Sequence, residues 1–456
     1  MAPSKRISSG YWEPPLAVTL TFLIFVVARY MQWGARRDIL ATIRIEFVLG
    51  LVLTVACAFL LTTAPLHLDR FRAAKRVMIA IAMLFFAMII HIPFAADKDL
   101  AQTIFVDRVI KFAMLTFFII VLIRSPKTMR WFMAAFLFAC FYVTQEAARG
   151  ALNGGLIWEN QGIMRLHGAV PIYRHPNSLA GVAMGVVPFV VFLLPVVKRW
   201  WLKLAMLAPL GTASICILYS GSRTGYLAFL AFLIFWWSWS RNKLKWFILA
   251  VGLGVAIMPL LPDQYVERFR SIGGQEAEGN SKKARIQILE DAWSVFSRYP
   301  AGVGVASFPA VREEMFGRTQ DTHNLYLEVA TNLGVQGFVV FMLLIWFMYS
   351  SLLGDERRLR RLGVGLHVAL RAPTVSPREE ALLRTALEDI EMLRAVCRAG
   401  MGFIVVRLVL GMFGMDLYEV YWWFAAGLSI ALALVVHQTA RGLQTRNQRL
   451  GRHGPA

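Results

Sequence analysis

Twelve apolar runs, each approaching the ~20 residues that a helix needs to cross ~30 Å of hydrocarbon, constrain this chain more than any motif. They fall near residues 14–33, 45–64, 76–96, 104–123, 129–146, 177–197, 201–219, 224–240, 244–261, 333–353, 399–416 and 418–437. Lipid cannot satisfy an open backbone, so the spans must be helices. The sequence therefore predicts an all-α polytopic membrane protein of about 12 transmembrane helices. Composition agrees: 57% of residues are hydrophobic, 17% are charged and mean hydropathy is +0.56, far from an average soluble domain.

A formal charge of +20 could suggest a nucleic-acid partner, but the basic residues lie in alternate connections, as membrane topology requires. With Lys5 and Arg6 inside, the segments Arg70–Arg76, Arg124–Arg130, Lys198–Lys203, Arg241–Lys245, Arg357–Arg361 and Arg441–Arg452 are all cytoplasmic. No nucleic-acid partner is expected. One hairpin disagrees, because Arg36, Arg37 and Arg44 then face outside. Cys57, Cys140 and Cys216 sit in apolar runs and Cys397 in a cytoplasmic segment, so packing rather than a disulfide framework is expected of them. The first run is long enough to span and lacks a small-residue cleavage site, which reads as a retained helix.

A single membrane domain over 1–456 carries three insertions. Residues 147–176 form an outer loop with Arg165-Leu166-His167-Gly168 and Tyr173-Arg174-His175-Pro176-Asn177-Ser178, where Asn177 or Ser178 is expected to cap the next span. Residues 262–332 form a large outer loop between spans 9 and 10. Within it Ile286, Leu289, Trp293 and Phe296 recur at spacings of three and four, predicting an amphipathic helix over 281–298 that lies on the bilayer or over a cavity. Tyr299-Pro300 and glycines 302 and 304 end it. Residues 354–398 are cytoplasmic and carry both charge signs, with a helix over 377–398 supported by pairs such as Glu380 with Arg384.

Three positions could carry chemistry, and each also has a plainer reading. Arg223, in Gly221-Ser222-Arg223-Thr224-Gly225, lies at the outer end of the eighth run, where a guanidinium can bind phosphate or simply reach lipid headgroups. Arg285 opens the loop helix, where it can border the apolar face; taken alone it reads as a surface charge. His323, between Asp321 and Asn324, is either a structural histidine or a base with a partner beside it. Asp97 and Asp99 could hold Mg²⁺ or Mn²⁺ but read as a solvated turn. Asp107, Arg108 and Lys111 are costly in lipid and are expected to face the interior, with Asp107 and Lys111 paired one helical turn apart.

Taken together these positions resemble the O-antigen ligase and polymerase superfamily of bacterial lipid-linked glycan transferases. The resemblance rests on Arg223 with Leu227, on Arg285…Trp293…Pro300…Gly302-Val303-Gly304, and on His323-Asn324 with Gly334. A weaker match is Arg165…Gly168…Pro176-Asn177. It covers about residues 160–350, and the family too places a large periplasmic loop between its ninth and tenth spans.

The resemblance implies a GT-C-like glycosyltransferase of the bacterial inner membrane with its active site facing the periplasm. It would pass a glycan from an undecaprenyl diphosphate donor to a lipid A core acceptor, without metal or cofactor. His323 is then the general base, because a sugar hydroxyl is a poor nucleophile at neutral pH. Arg223 and Arg285 stabilise the departing diphosphate. Arg165, Arg174, Asn177 and Asn324 would line the substrate cavity. Ligase is favoured over polymerase because Arg36, Arg37 and Arg44 would suit a phosphorylated core, and protein O-glycosylation is a third use of the same donor. A lipid-linked oligosaccharide flippase is the rival of another class, although transport predicts charges near the midplane and broken helices in paired halves.

Overall fold

The computed structural model describes residues 12–63, 68–160, 162–240, 263–270, 279–372 and 376–451, together with 242–245, 247, 248 and 252. The chain is an all-α polytopic membrane protein. Among the described residues seven helices are long and apolar enough to cross a bilayer: Ile45–Thr63, Ala74–His91, Pro126–Leu152, Pro176–Leu193, Trp200–Tyr219, Leu325–Ala369 and Val420–Gln444. Leu16–Met31 and Arg223–Trp239 are apolar but shorter. Pro377–Gly411 is long and charged in its first half. Most of the ninth expected run, 244–261, lies outside the described residues.

The helices run up and down, so their connections sort to two ends. One end gathers residues 32–44, 92–97, 153–175, 220–222, 299–324 and 412–419, cross-linked by Tyr173 Oη to Tyr30 O at 3.1 Å, Asn324 Nδ2 to Met412 O at 3.1 Å, and Ala306 N to Tyr418 Oη at 3.1 Å. The opposite end carries the ion pairs Lys127–Glu13, Lys198–Glu388 and Arg130–Asp389, and Arg394 and Arg398 both reaching the buried Glu356. Between them the core is phenylalanine-rich: Phe136, Phe189, Phe403 and Phe424 meet edge-on or stacked at 4.7–6.0 Å between ring centres. All four cysteines are buried and free.

Residues 354–398 form no separate module. Past a break at Gly334 the helix from Leu325 continues to Ala369 and the return helix starts at Pro377, capped by Ser376, so two helices simply extend beyond the apolar belt as a hairpin. Arg384 and Glu380 pair at 2.6 Å as the spacing predicts.

Two local expectations are corrected. Lys111 does pair with Asp107 at 2.7 Å, yet both side chains and that of Arg108 are about half exposed rather than turned inward. Asp107 and Arg108 sit on a wide turn, Phe105–Ile110, near the 412–419 connection, where Arg108 also reaches Glu419 at 2.9 Å; charges there need no buried partner. The cap of the Pro176–Leu193 helix is His175, because Pro176 occupies the first helical position and moves the cap back by one residue. The loop helix spans Gly279–Arg298, and the face it packs on the protein is Ile288, Asp291, Ala292 and Val295. Ala292 and Val295 are small enough to let the Phe308–Phe316 helix approach, forming a second core with Val303, Phe308 and Val311. Ile286, Leu289 and Trp293 stay exposed.

Candidate functional site

Six backbone segments meet at the end of the bundle that carries His323, and Arg165 ties two of them together. It lies on strand β2 (Ile163–Leu166), paired antiparallel with β1 (Ile157–Asn160), and is 1% exposed. Its Nε donates to Ser220 O at 2.7 Å, Nη1 to Asn160 Oδ1 at 2.8 Å and Nη2 to Asn177 Oδ1 at 2.7 Å. A buried guanidinium needs this degree of satisfaction. Arg165 thereby fixes the turn that presents Arg223 against the start of the Pro176 helix, with Asn177 as the receiving group. Arg174, by contrast, is exposed over the Trp158 ring at 5.9 Å.

Gly221 closes that turn with φ +57, and a Cβ there would lie 2.7 Å from Ile163. Ser222 then caps the Arg223–Trp239 helix by accepting from Gly225 N at 3.1 Å. Arg223 is therefore the first residue of a helix, half-buried, at a terminus whose peptide dipoles favour anions.

His323 is delivered by the other half of the chamber. Its φ is +47, a left-handed backbone conformation uncommon outside glycine, in which histidine is among the more tolerated residues. Asn324 follows as a helix cap: Oδ1 accepts from Tyr326 N at 3.0 Å and Leu327 N at 3.1 Å, while Nδ2 donates to Met412 O. Asn324 thus locks the base of the histidine's turn onto the 412–419 connection. Thr322, buried, adds bonds to both sides of the Asn324 peptide.

His323 lies at the surface of the protein, directly after the buried Thr322. Partial burial holds its pKa below the usual histidine range; the nearby charges of Arg285 and Arg312 push the same way, and Asp321 opposes them. His175 is also held low, first by burial and then by Arg165 and His323. Arg285 and His175 therefore both lie within electrostatic reach of His323. Burial raises Asp321 above the usual carboxylate range, with the Thr322 N–H bond and His323 opposing it.

The loop helix is clamped to the histidine segment by a carboxylate. Asp291 accepts from Arg312 Nε at 2.9 Å and from Arg318 Nη2 at 2.9 Å, and Arg312, 1% exposed, donates on to Gln320 O at 2.9 Å. This clamp fixes the helix bearing Arg285 relative to residues 318–323. Nothing in the sequence marks Asp291 and Arg312 as partners 21 residues apart. His175 did leave a signal, since a proline at the first position of a helix identifies its predecessor as the cap.

The glycine motifs have a steric reason. The Leu325–Ala369 helix breaks at Gly334, with φ +67 and ψ −171, and the loop after Pro300 enters that break. Val303 N donates to Thr331 O at 2.8 Å, Gly304 N to Asn332 O at 3.0 Å and Val335 N to Pro300 O at 2.9 Å. A Cβ on Gly302 would stand 2.6 Å from Gly334 N, and one on Gly304 2.3 Å from Ala95 Cα. His91 and Gln336 both reach Ala301 O, at 2.9 and 2.7 Å, from the flanking helices.

Asp97 caps the Lys98–Ile104 helix by accepting from Leu100 N at 2.9 Å. Among the described residues no three His, Cys, Asp or Glu side chains converge to hold a metal ion.

At one end of a bundle of apolar helices, His323 thus lies within electrostatic reach of Arg285 and Arg312, while Arg223 stands at the start of its own helix on that end. Residues 208–342 match the family model of O-antigen ligase, in agreement with the resemblance drawn from the motifs and supporting glycan transfer of the O-antigen ligase and polymerase type. Arg223, Arg285, His323, Gly302, Gly304 and Gly334 all lie within the matched segment; Arg165 and His175 lie before it. No curated protein matches the chain.

Proposed function

We propose that this protein transfers a glycan from undecaprenyl diphosphate to a lipid A core oligosaccharide, by direct inverting displacement, at the periplasmic face of a bacterial inner membrane. What supports the reading is the clamp of Asp291 with Arg312 and Arg318, which holds the helix bearing Arg285 against the 318–323 segment that carries His323. His323 in its neutral form takes the proton of the acceptor hydroxyl as that oxygen bonds to the anomeric carbon. The bond from that carbon to the diphosphate oxygen breaks, and Arg223 and Arg285 stabilise the charge that develops there. One displacement exchanges the faces, so the anomeric configuration inverts. No metal is needed to neutralise the leaving group when two guanidiniums do so.

Orientation is supported by charge. Arg124, Lys127, Arg130, Lys198, Arg394 and Arg398 stand at the end opposite His323, as a cytoplasmic face requires. A flippase is disfavoured because the candidate residues sit at one end rather than at the midplane. Purified protein given carrier-linked glycan and lipid A core should yield core-linked polymer, read by mass spectrometry. A strain lacking the gene separates the acceptors: loss of a ligase leaves polymer on the carrier and bare core, loss of a polymerase leaves core bearing one repeat, and loss of a protein transferase leaves both intact.

The pH dependence of transfer reports the electrostatics. A base must be unprotonated, so kcat/KM should hold as pH falls past histidine's ordinary pKa of about 6.5 and drop only below it. Asp321→Asn removes the charge that raises the His323 pKa and should move the acid limb to lower pH. Arg285→Gln removes one that lowers it and should move the limb up while reducing the rate. Limbs unmoved by either change would exclude His323 as the titrating base.

A further inference from the structure

Packing leaves one side of the Gly279–Arg298 helix open among the described residues. Ile288, Ala292 and Val295 are buried along one side, whereas Ile286, Leu289 and Trp293 are exposed along another, Trp293 by 62%, with the Phe296 ring 5.8 Å from that of Trp293. A row of large apolar side chains left open in this way marks a contact surface. Lys283, Arg285 and Arg298 are exposed on the same helix against the exposed acid Glu290, a balance that suits anionic headgroups.

Two spans fix the height of this helix above the bilayer. Residues 335–354 of the Leu325–Ala369 helix carry no charge and Asp355 and Glu356 follow, so the ~20 residues that hydrocarbon requires begin at Val335. Val335, Val339, Leu343 and Trp346 are exposed at helical spacing, the face that such a span turns to lipid. His91 is the last residue of a second span, Ala74–His91. Val335 N donates to Pro300 O at 2.9 Å and His91 Nε2 meets Ala301 O at 2.9 Å, so residues 300 and 301 stand where both spans leave the hydrocarbon. The headgroup layer adds ~5–7 Å to each side of that hydrocarbon. Phe296, four residues before Pro300 and ~6 Å along a helix, stays within the layer even were the helix upright. Trp293, at ~10 Å, and Leu289, at ~16 Å, join it when the helix lies down.

We infer that the Ile286, Leu289 and Trp293 side of the loop helix docks on the lipid leaflet at the His323 end, continuing the lipid face that begins at Val335. Lipid supplies the apolar cover that this side lacks, and Tyr299, exposed with the Arg298 guanidinium 5.7 Å from its ring centre, is the kind of aromatic that anchors at headgroup level. A second copy or a soluble partner would have to displace lipid at that height. Taken with the proposed function, docking also sets the height of Arg285, which directly precedes Ile286, at the level where a diphosphate carried by a lipid lies.

The test is EPR on nitroxide labels carried by Leu289→Cys and Trp293→Cys, in the full chain reconstituted in nanodiscs of phosphatidylethanolamine and phosphatidylglycerol without carrier lipid. The four native cysteines are buried, so the label goes to the introduced site. Both labels should be relaxed by oxygen and lose access to a water-soluble nickel complex, whereas labels at Gln287→Cys and Ser294→Cys, exposed elsewhere on the helix, should keep it. Nickel access equal at all four positions would overturn the docking by placing the stripe in water. Exclusion of both reagents at 289 and 293 would overturn it in favour of cover by protein, from a second copy or another part of the chain. The readout needs neither glycan nor turnover: the expected pattern in a protein that transfers nothing would remove the transfer reading and leave the docking standing.

Discussion

His323→Asn should lower kcat for glycan transfer by about a hundredfold to ten-thousandfold, the usual worth of a positioned general base, with donor affinity nearly unchanged. Asparagine is the informative replacement. It tolerates the left-handed backbone that residue 323 adopts, so the Asn324 cap and its anchor on Met412 should survive, whereas alanine adds strain at φ +47. Loss of rate in the asparagine variant therefore reports the imidazole and not the turn. Single-turnover kinetics, with enzyme in excess over carrier-linked glycan, separates chemistry from product release and, as enzyme is varied, from binding. Transfer at the wild-type rate would remove His323 from the reaction and leave the chamber a binding site only.

That the turn is rigid matters as much as the ring. A base contributes only when held within hydrogen-bond reach of the proton it takes, and small displacements cost large factors in rate. Here the ring stands on a strained residue between a buried threonine and a cap bonded to a different helix. Such strain persists only where surroundings over-determine it. On the other side Arg165 plays the corresponding part for Arg223, satisfied by three separate segments.

The apolar runs were legible because period and length alone decide what crosses a bilayer, and Arg223, Arg285 and His323 stood out as polar residues next to those runs. The packed face of the loop helix was not. Hydrophobic spacing selected Ile286, Leu289, Trp293 and Phe296, the bulkier stripe, while packing selected Ile288, Ala292 and Val295, where small side chains allow close approach, and admitted Asp291 because Arg312 and Arg318 neutralise it. In a soluble protein the larger stripe would be inside. Beside a membrane that inference loses its force, since lipid covers apolar surface as well as a core does. The Asp107–Lys111 pair was legible as a pair and not as a surface one, because position along the bilayer normal is not encoded in spacing. Arg36 was readable only as a charge; its carboxylate partner, Glu146, lies 110 residues away.

Gly334→Ala should be the most damaging substitution outside the catalytic groups, although alanine is the better helix former. Two penalties act together. Residue 334 has φ +67 and ψ −171, a region essentially restricted to glycine, at a cost of roughly 1–3 kcal/mol for any other residue. The new Cβ would also stand 2.3 Å from the carbonyl carbon of Ala301 and 2.5 Å from its oxygen, backbone atoms that cannot rotate aside. Relief requires the 300–304 loop to leave the break, with loss of the bonds from Val303, Gly304 and Val335. The Gly279–Arg298 helix ends on that loop, so Arg285 and the Asp291 clamp would lose their registration with His323 while the span itself straightens and remains. The expected result is a protein that still inserts and purifies, with transfer reduced as far as in His323→Asn and faster hydrogen exchange confined to residues 279–324. Gly302→Ala, whose Cβ meets Gly334 N, should behave alike. Wild-type exchange and activity in the Gly334 variant would mean that the loop does not depend on the break, and that Arg285 is placed by the Asp291 clamp alone.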